Sequence, residues 1–401
     1  MLVVNNKGAL DTRSYEERLF DCISVAISHE SRSFLEIVRS GEGAYPTVIR
    51  DRLRQLAPAS KESSLSTYGP LAGNSHGRSA LETVEGNPLL CSWYFTDVTC
   101  RRISKLRDWK GLKLGFLGTP RLFEWFSQKG LGHERVLFEL DNLVIDALLP
   151  LNRSGDLLIN FDIAQEVPEQ LAGKFDCVFL DPPWYESDYF LWLSRASKLA
   201  PSGLLVLPIF PALTRPAAVA ERATIFGRLQ NFTDDLTFLL GVVEYEIPAF
   251  EQNQLKASGI EFGGPWKIAD MAVGRLSSII PYEGNVGPTL VGWKELHFPS
   301  LRLFLNISDG KQHTEPLLSY VTEGSVFLAS PSRREPGRKR ANLLTSRGHG
   351  LFTSSPYNLL RVLLSLEASS QNNETVNAAI QKLDCDPQTK FLLSEIFRED
   401  G

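Results

Sequence analysis

Asp181, Pro182, Pro183 and Trp184 stand directly behind the apolar run Phe175-Asp176-Cys177-Val178-Phe179-Leu180. Two prolines after an acid, at the mouth of a buried strand, make a rigid acceptor platform. Proline has no amide hydrogen, so the Asp181 carboxylate and the Pro182 carbonyl face outward without a competing donor of their own. Such a pair can accept both hydrogens of an NH2 group and turn its lone pair toward an electrophile, while Trp184 offers a flat surface for a planar target. The chemistry expected of the segment is alkylation of an amino nitrogen. The plainer alternative is a strand-to-loop exit held by a stacked tryptophan.

A loop of this kind needs a sheet to hold it. From 111 to about 276, short apolar runs alternate with amphipathic segments, the texture of βαβ units. Strands are expected at 113–117, 135–140, 157–161, 175–180, 203–209, 237–244 and 267–273, giving a Rossmann-like α/β fold with a seven-stranded doubly wound sheet. Ligands of open α/β sheets bind beyond the carboxyl ends of the strands. The first strand runs through Gly115 and Leu117 into Gly118, Thr119 and Pro120, where glycine lets backbone approach a cofactor and proline opens a helix. Asp141, after the second strand, is suited to accept hydrogen bonds from the two hydroxyls of a ribose, or to cap a helix. Asp162, after the third, could receive the exocyclic amino group of an adenine. Behind the fifth strand, Arg215 could reach a phosphate or carboxylate, or pair within its own loop. Glu186 and Asp188 read as surface acids beside a helix start.

Asp-Pro-Pro-Trp at 181–184 resembles the signature of class I amino-nitrogen methyltransferases, and the core from 111 to 276 is similar to theirs in motif order, the glycine strand preceding the catalytic loop. The resemblance implies S-adenosylmethionine as cofactor, held by Gly115, Leu117, Gly118, Thr119, Pro120, Asp141 and Asp162. It implies catalysis by Asp181, Pro182, Pro183 and Trp184 on an amine-bearing substrate. The glycine strand departs from the family's Gly-x-Gly-x-Gly. A second resemblance joins an N-terminal winged helix to Asp-Pro-Pro, an aromatic and Phe190-Leu191-Trp192-Leu193-Ser194-Arg195. It looks like the branched-polyamine synthases, which transfer aminopropyl groups from decarboxylated S-adenosylmethionine. Trp184 suits a flat base better than a flexible polyamine, so methyl transfer ranks first.

The core leaves two flanks. Residues 1–110 are expected to form a helical domain: Leu19, Phe20, Ile23 and Ile27 share one apolar face, Phe34, Leu35 and Val38 another. The turn at Gly41-Glu42-Gly43 before Pro46 suits a helix-turn-helix, with 61–80 as wing or linker. Residues 277–401 form an α+β extension, with strands expected at 289–293, 302–307 and 325–329, a basic loop at 333–340 and C-terminal helices. The basic patches at 101–110 and 333–340 make nucleic acid a candidate partner. Otherwise the N-terminal helices would serve homodimerisation or substrate capture.

A formal net charge of -5 and a pI near 5.8 argue against a surface that grips nucleic acid throughout. The five cysteines include no Cys-x-x-Cys pair, so no zinc site is expected and reduced thiols in a cytoplasmic protein are the simplest reading. No run of apolar residues is long enough for a membrane span. The histidines are isolated from one another and carry no expected catalytic role. Three classes therefore stand open: a nucleic-acid amino methyltransferase, a transferase acting on a protein or small amine, and a binding module that keeps the fold without the chemistry.

Overall fold

The computed structural model describes residues 13–28, 33–56, 79–284, 286–299, 301–308, 317–371 and 375–398. They fall into two compact units. The first draws on Met1–Val84, Trp93–Ile247 and Phe262–Thr289, the second on Glu85–Ser92, Pro248–Glu261 and Leu290–Gly401.

In the first unit seven strands form one sheet in the order β3-β2-β1-β4-β5-β7-β6. They are β1 (Lys113–Leu117), β2 (Glu134–Glu139), β3 (Asp156–Asn160), β4 (Cys177–Leu180), β5 (Leu204–Ile209), β6 (Thr233–Glu244) and β7 (Ile268–Leu276). Each lies within a few residues of its expected span, because each is an apolar run closed by turn formers. The five strands β1 to β5 are parallel, while β7 runs antiparallel between β5 and β6. The chain builds outward from β1 through β2 to β3, then returns to build from β4 to β5. The switch point, where ligands of open sheets settle, thus lies between the carboxyl ends of β1 and β4.

Helices cover both faces. On one, Trp109, Phe116, Phe123, Phe126 and Phe179 pack ring against ring; on the other, Leu180, Tyr189, Leu193, Leu205 and Leu229 join the core. The helix α5 (Pro120–Lys129) opens on a proline at its first turn and closes on Gly130 in the left-handed conformation. At the amino ends of β2 and β3, the Arg135 guanidinium is buried against the Asp156 carboxylate. Three of its remaining hydrogens go to the carbonyls of Leu131, Gly132 and Ser154 at 3.1, 2.9 and 3.0 Å. Asp156 also accepts from the Ser127 hydroxyl and the Arg153 amide.

The same unit contains α1 (Tyr15–Ser28), α2 (Phe34–Ser40) and α3 (Pro46–Leu56). Leu19 and Ile23 are buried as their spacing predicts, whereas Phe20 is 44% exposed. A turn at 41–43 separates α2 from α3. The wing expected at 61–80 lies outside the described residues except for Ser79 and Ala80. The basic stretch begins in α4 (Asp97–Ser104); Arg101, Lys105, Arg107 and Lys110 are exposed, and Arg102 is paired with Glu244 at 3.0 Å.

The second unit is an antiparallel sheet in the order β10-β12-β11-β9-β8, from β8 (Trp293–Phe298), β9 (Leu301–Asn306), β10 (Ser319–Tyr320), β11 (Leu343–Thr345) and β12 (Gly350–Phe352). Leu303, Leu305, Leu343 and Leu351 pack with Leu363 of α11 (Pro356–Gln371), Ile380 of α12 (Val376–Lys382) and Leu392 of α13 (Pro387–Ile396). Two sequence expectations fail here. The strand expected at 289–293 begins only at Trp293, because Gly292 stands at φ 76° and turns the chain. The strand expected at 325–329 is a set of bends with isolated bridges, where the Ser325 hydroxyl exchanges hydrogen bonds with the Phe327 backbone. Within the expected basic loop, Pro336–Arg340 is a short helix, α10, capped by Glu335. The strip Glu85–Ser92 is tied in by Arg302, whose backbone amide donates to the Glu85 carboxylate at 2.8 Å and whose side chain donates to the Glu85 carbonyl at 2.7 Å. Among the described residues no helix is long and apolar enough to cross a membrane.

Candidate active site at the sheet switch point

Asp181 is the first residue beyond β4, and Gly118 the first beyond β1. The strands are neighbours in register, Leu117 opposite Leu180, so the two exits lie side by side. With Thr119, Arg121, Trp93 and Phe95 they line a gap of about 160 Å³, open solvent included.

The Asp181 carboxylate is held from β6 and the turn beyond it. Its Oδ1 accepts a hydrogen bond of 2.7 Å from the Tyr245 hydroxyl. Burial pushes the Asp181 carboxyl up to about 7, against the opposing pull of the Tyr245 hydrogen bond and of the Lys267 charge. Burial beside that carboxylate likewise drives the Tyr245 phenol well above its usual range, so it remains a donor. Among the described residues no backbone amide uses the Pro182 carbonyl, whereas the Pro183 carbonyl accepts from the Tyr185 amide at 2.7 Å. Trp184 is half-buried, its ring edge-on to Tyr245 at 5.7 Å and tilted toward Phe210 at 6.4 Å. It is a wall of the site more than a free platform. Tyr245→Phe should therefore move the acid limb of the activity profile up by about one pH unit or more, because a hydrogen bond to a charged acceptor is lost. A pH-rate profile of the variant checks this.

The remaining sequence-chosen residues divide. Gly115 and Leu117 lie inside β1: Leu117 is core, and a side chain at Gly115 would press on Phe175 and Val178. Gly118 turns the chain at φ 60°, and a Cβ there would overlap the Trp192 indole. Gly118→Ala should accordingly cost about 1–3 kcal/mol of stability, measurable by denaturant unfolding. Thr119 is 3% exposed at the start of α5; its hydroxyl makes no cap and finds no hydrogen-bond partner among the described residues. Pro120 is buried at the first turn of the same helix.

Asp141 caps α6 (Asn142–Leu148) through the Leu143 amide at 3.1 Å. The acid at the very end of β2 is instead Glu139, which the sequence reading passed over; its carboxyl accepts the amides of Leu140 and Asp141 and is pushed up to about 7 by burial. Its position as the last strand residue was the available signal. Asp162 is engaged by the Thr289 amide at 2.8 Å, the Thr289 hydroxyl and the Ala164 amide. Arg215 pairs with Glu221, in the first turn of the helix Ala218–Phe232 that follows its loop, and lies 4.5 Å from the Phe210 ring centroid.

Two further residues escaped the sequence reading because they come from distant segments: Tyr245 and Lys267. Arg121, beside the gap, is buried between Asp97 and Glu124, the latter at 2.7 Å.

S-adenosylmethionine can be tested against these groups. Left-handed backbone at Gly118, the unsatisfied Thr119 hydroxyl and the acid ending β2 fit the amino-acid and ribose portions of such a molecule. The gap as it stands has essentially no room for even a water molecule, against the roughly 300 Å³ at which small-molecule sites begin, so seating the nucleoside requires its walls to open.

No protein-family model matches the chain, and no curated protein matches it in sequence. Solved structures do resemble it. A mutein of the branched-chain polyamine synthase from Thermus thermophilus is similar over 69% of this chain and 90% of that one, at 15% identity and a TM-score of 0.53. The corresponding branched-chain polyamine synthase structure covers 68% and 90%, at 15% identity and a TM-score of 0.50. Both contain N4-aminopropylspermidine and 5'-methylthioadenosine. A putative RNA methyltransferase from Pyrococcus horikoshii is more distant, with 14% identity, 50% of this chain and 95% of that one covered, and a TM-score of 0.34. At these identities the likeness to the two synthase structures shows the fold alone.

Proposed function

We propose that the chain is a transferase that methylates an amino nitrogen with S-adenosylmethionine as cofactor. The observation that carries this reading is the Asp181 carboxylate, braced by Tyr245 and set beside the Gly118 turn at the switch point. When bound, the cofactor supplies a methyl group on a sulfonium, an electrophile that needs little further activation. The protein's work is then positioning and exclusion of water. Asp181 and the Pro182 carbonyl accept the two hydrogens of the acceptor NH2, which fixes the direction of the nitrogen lone pair. Asp181, with its carboxyl near neutrality, takes up the proton that leaves the nitrogen after the new bond forms. Glu139, last in β2, is assigned the ribose hydroxyls in place of Asp141, and Thr119 and Gly118 the amino-acid end. The Asp162 carboxylate reaches adenine only if Thr289 releases it.

The exposed cations of 101–110 give a nucleic-acid acceptor phosphate contacts on the first unit, in keeping with a base amine as target, and Arg334, Lys339 and Arg340 are exposed separately on the second. The aminopropyl alternative is favoured by one observation, the fold shared with the two synthase structures. Calorimetric titration with S-adenosylmethionine and with its decarboxylated form divides the two. Methyl transfer requires binding of the first, together with labelled-methyl uptake that Asp181→Ala removes. Preference for the decarboxylated form would establish the alternative, and no heat with either would leave a binding module.

A further inference from the structure

Lys267 stands just before β7, and its ammonium is boxed by the rings of Trp93, which lines the same gap, and of Trp184 and Tyr245. Its Nζ lies 3.6 Å from the ring centroid of Trp93, 4.3 Å from that of Trp184 and 5.9 Å from that of Tyr245. The rings meet nearly at right angles, Trp184 to Tyr245 at 78° and Trp93 to Tyr245 at 90°, so they form walls rather than a stack. Ring faces attract a cation through their quadrupoles, most strongly where water is excluded, and boxes of this kind are how proteins hold alkylammonium groups. Here the chain fills the box with its own lysine. Trp93 lines the gap together with Asp181, and Trp184 belongs to the acceptor loop, so an amine arriving at Asp181 meets this charge.

We propose that Lys267 is a specificity residue: its ammonium occupies the cation seat between Trp93 and Trp184 and restricts the acceptor to a nitrogen that is uncharged at pH 7, the exocyclic amine of a nucleobase rather than an alkylammonium group. The inference rests on the amino-transfer reading and narrows its substrate class. An aliphatic amine titrates near 10.4 and reaches a neutral solution as a cation. At this site it finds the faces of Trp93 and Trp184 already taken and a like charge that acts on the Asp181 carboxylate, where repulsion is only partly screened. A base amine carries no such charge, and its hydrogens meet the Asp181 and Pro182 oxygens without opposition.

Two measurements on the full chain test this. Tryptophan fluorescence is titrated with tetramethylammonium chloride against sodium chloride. Lys267→Ala should bind the organic cation at least about tenfold more tightly than the wild type, and Lys267→Arg should behave as the wild type. Labelled methyl transfer is then followed to single-stranded oligonucleotide and to spermidine. The ratio of kcat/KM for oligonucleotide over spermidine should fall at least about tenfold in Lys267→Ala and hold in Lys267→Arg. Lys267→Gln, which keeps more of the side chain's bulk, carries the same expectation should the alanine variant fold poorly. A wild type that prefers spermidine, a ratio indifferent to the loss of charge, or equal binding of tetramethylammonium by all variants would overturn the proposal. Absence of label in every pool would sink the transfer reading instead, and the fluorescence titration would still decide whether Lys267 holds the cation seat.

Discussion

Asp181→Asn should lower kcat for methyl transfer by about a hundredfold or more, with binding of the cofactor largely kept. The amide presents hydrogens of its own to the acceptor NH2, cannot take up its proton, and retains only one oxygen for Tyr245 and substrate to share. The pH profile should show the same group. Since burial holds the carboxyl at about 7, the wild-type rate falls as pH drops through neutrality and the acceptor is lost. Tyr245 and Lys267 oppose that shift and Tyr189 lies close enough to feel the charge. Stability follows the opposite sign. An acid whose folded pKa is raised from 3.8 toward 7 favours the folded state while protonated, and that contribution disappears as pH climbs through the folded value. Asp181→Asn should therefore melt roughly 3 °C or more above the wild type at pH 8, with the difference gone near pH 3.5, where the carboxyl is protonated in both states. A variant that is slower and also less stable at pH 8 would mean that the carboxylate is a structural anchor.

The second large effect belongs to the other end of the sheet. Asp156→Ala strips the partner from a guanidinium whose side chain is 4% exposed and leaves a buried charge with carbonyls alone. Removing one member of such a pair costs about 3–5 kcal/mol. Calorimetric or denaturant unfolding should show a loss of that order. Because Arg135 and Asp156 sit at the amino ends of their strands, kcat at a permissive temperature should stay near the wild-type value. Arg135→Met combined with Asp156→Leu should recover much of the loss, since the two desolvated charges disappear together. A double variant as unstable as the single one would place the cost in the hydrogen bonds from Ser127 and Arg153.

The sheet could be read in the sequence because its central strands β1, β2, β4 and β5 are buried on both faces and announce themselves as apolar runs. Trp293–Phe298 could not, since Lys294, Glu295 and His297 face outward and interrupt the run. Asp181 was legible from its two prolines, which have little purpose in a strand exit other than to fix it. Glu139 was overlooked for Asp141, two residues on, because a strand's last residue is set by pairing rather than by residue type. Lys267, Trp93 and Tyr245 were illegible for a stronger reason. They meet only after β6 and β7 have paired and the segment before α4 has bridged to Tyr245, and nothing local in the three segments signals that meeting. The capture of Asp162 by Thr289 is of the same kind.

The second unit takes in Glu85–Ser92 and Pro248–Glu261 before its own main stretch begins. Cutting the chain at 277 is therefore not the excision of a tail: it would strand Leu89 and Phe250, each of which is buried in the full protein. During synthesis both strips must leave the ribosome and wait, apolar side chains uncovered, until the chain has been made through Leu344 and Gly348. Holdase chaperones have a foothold there, and any fragment of this protein intended for biochemistry should be designed around it.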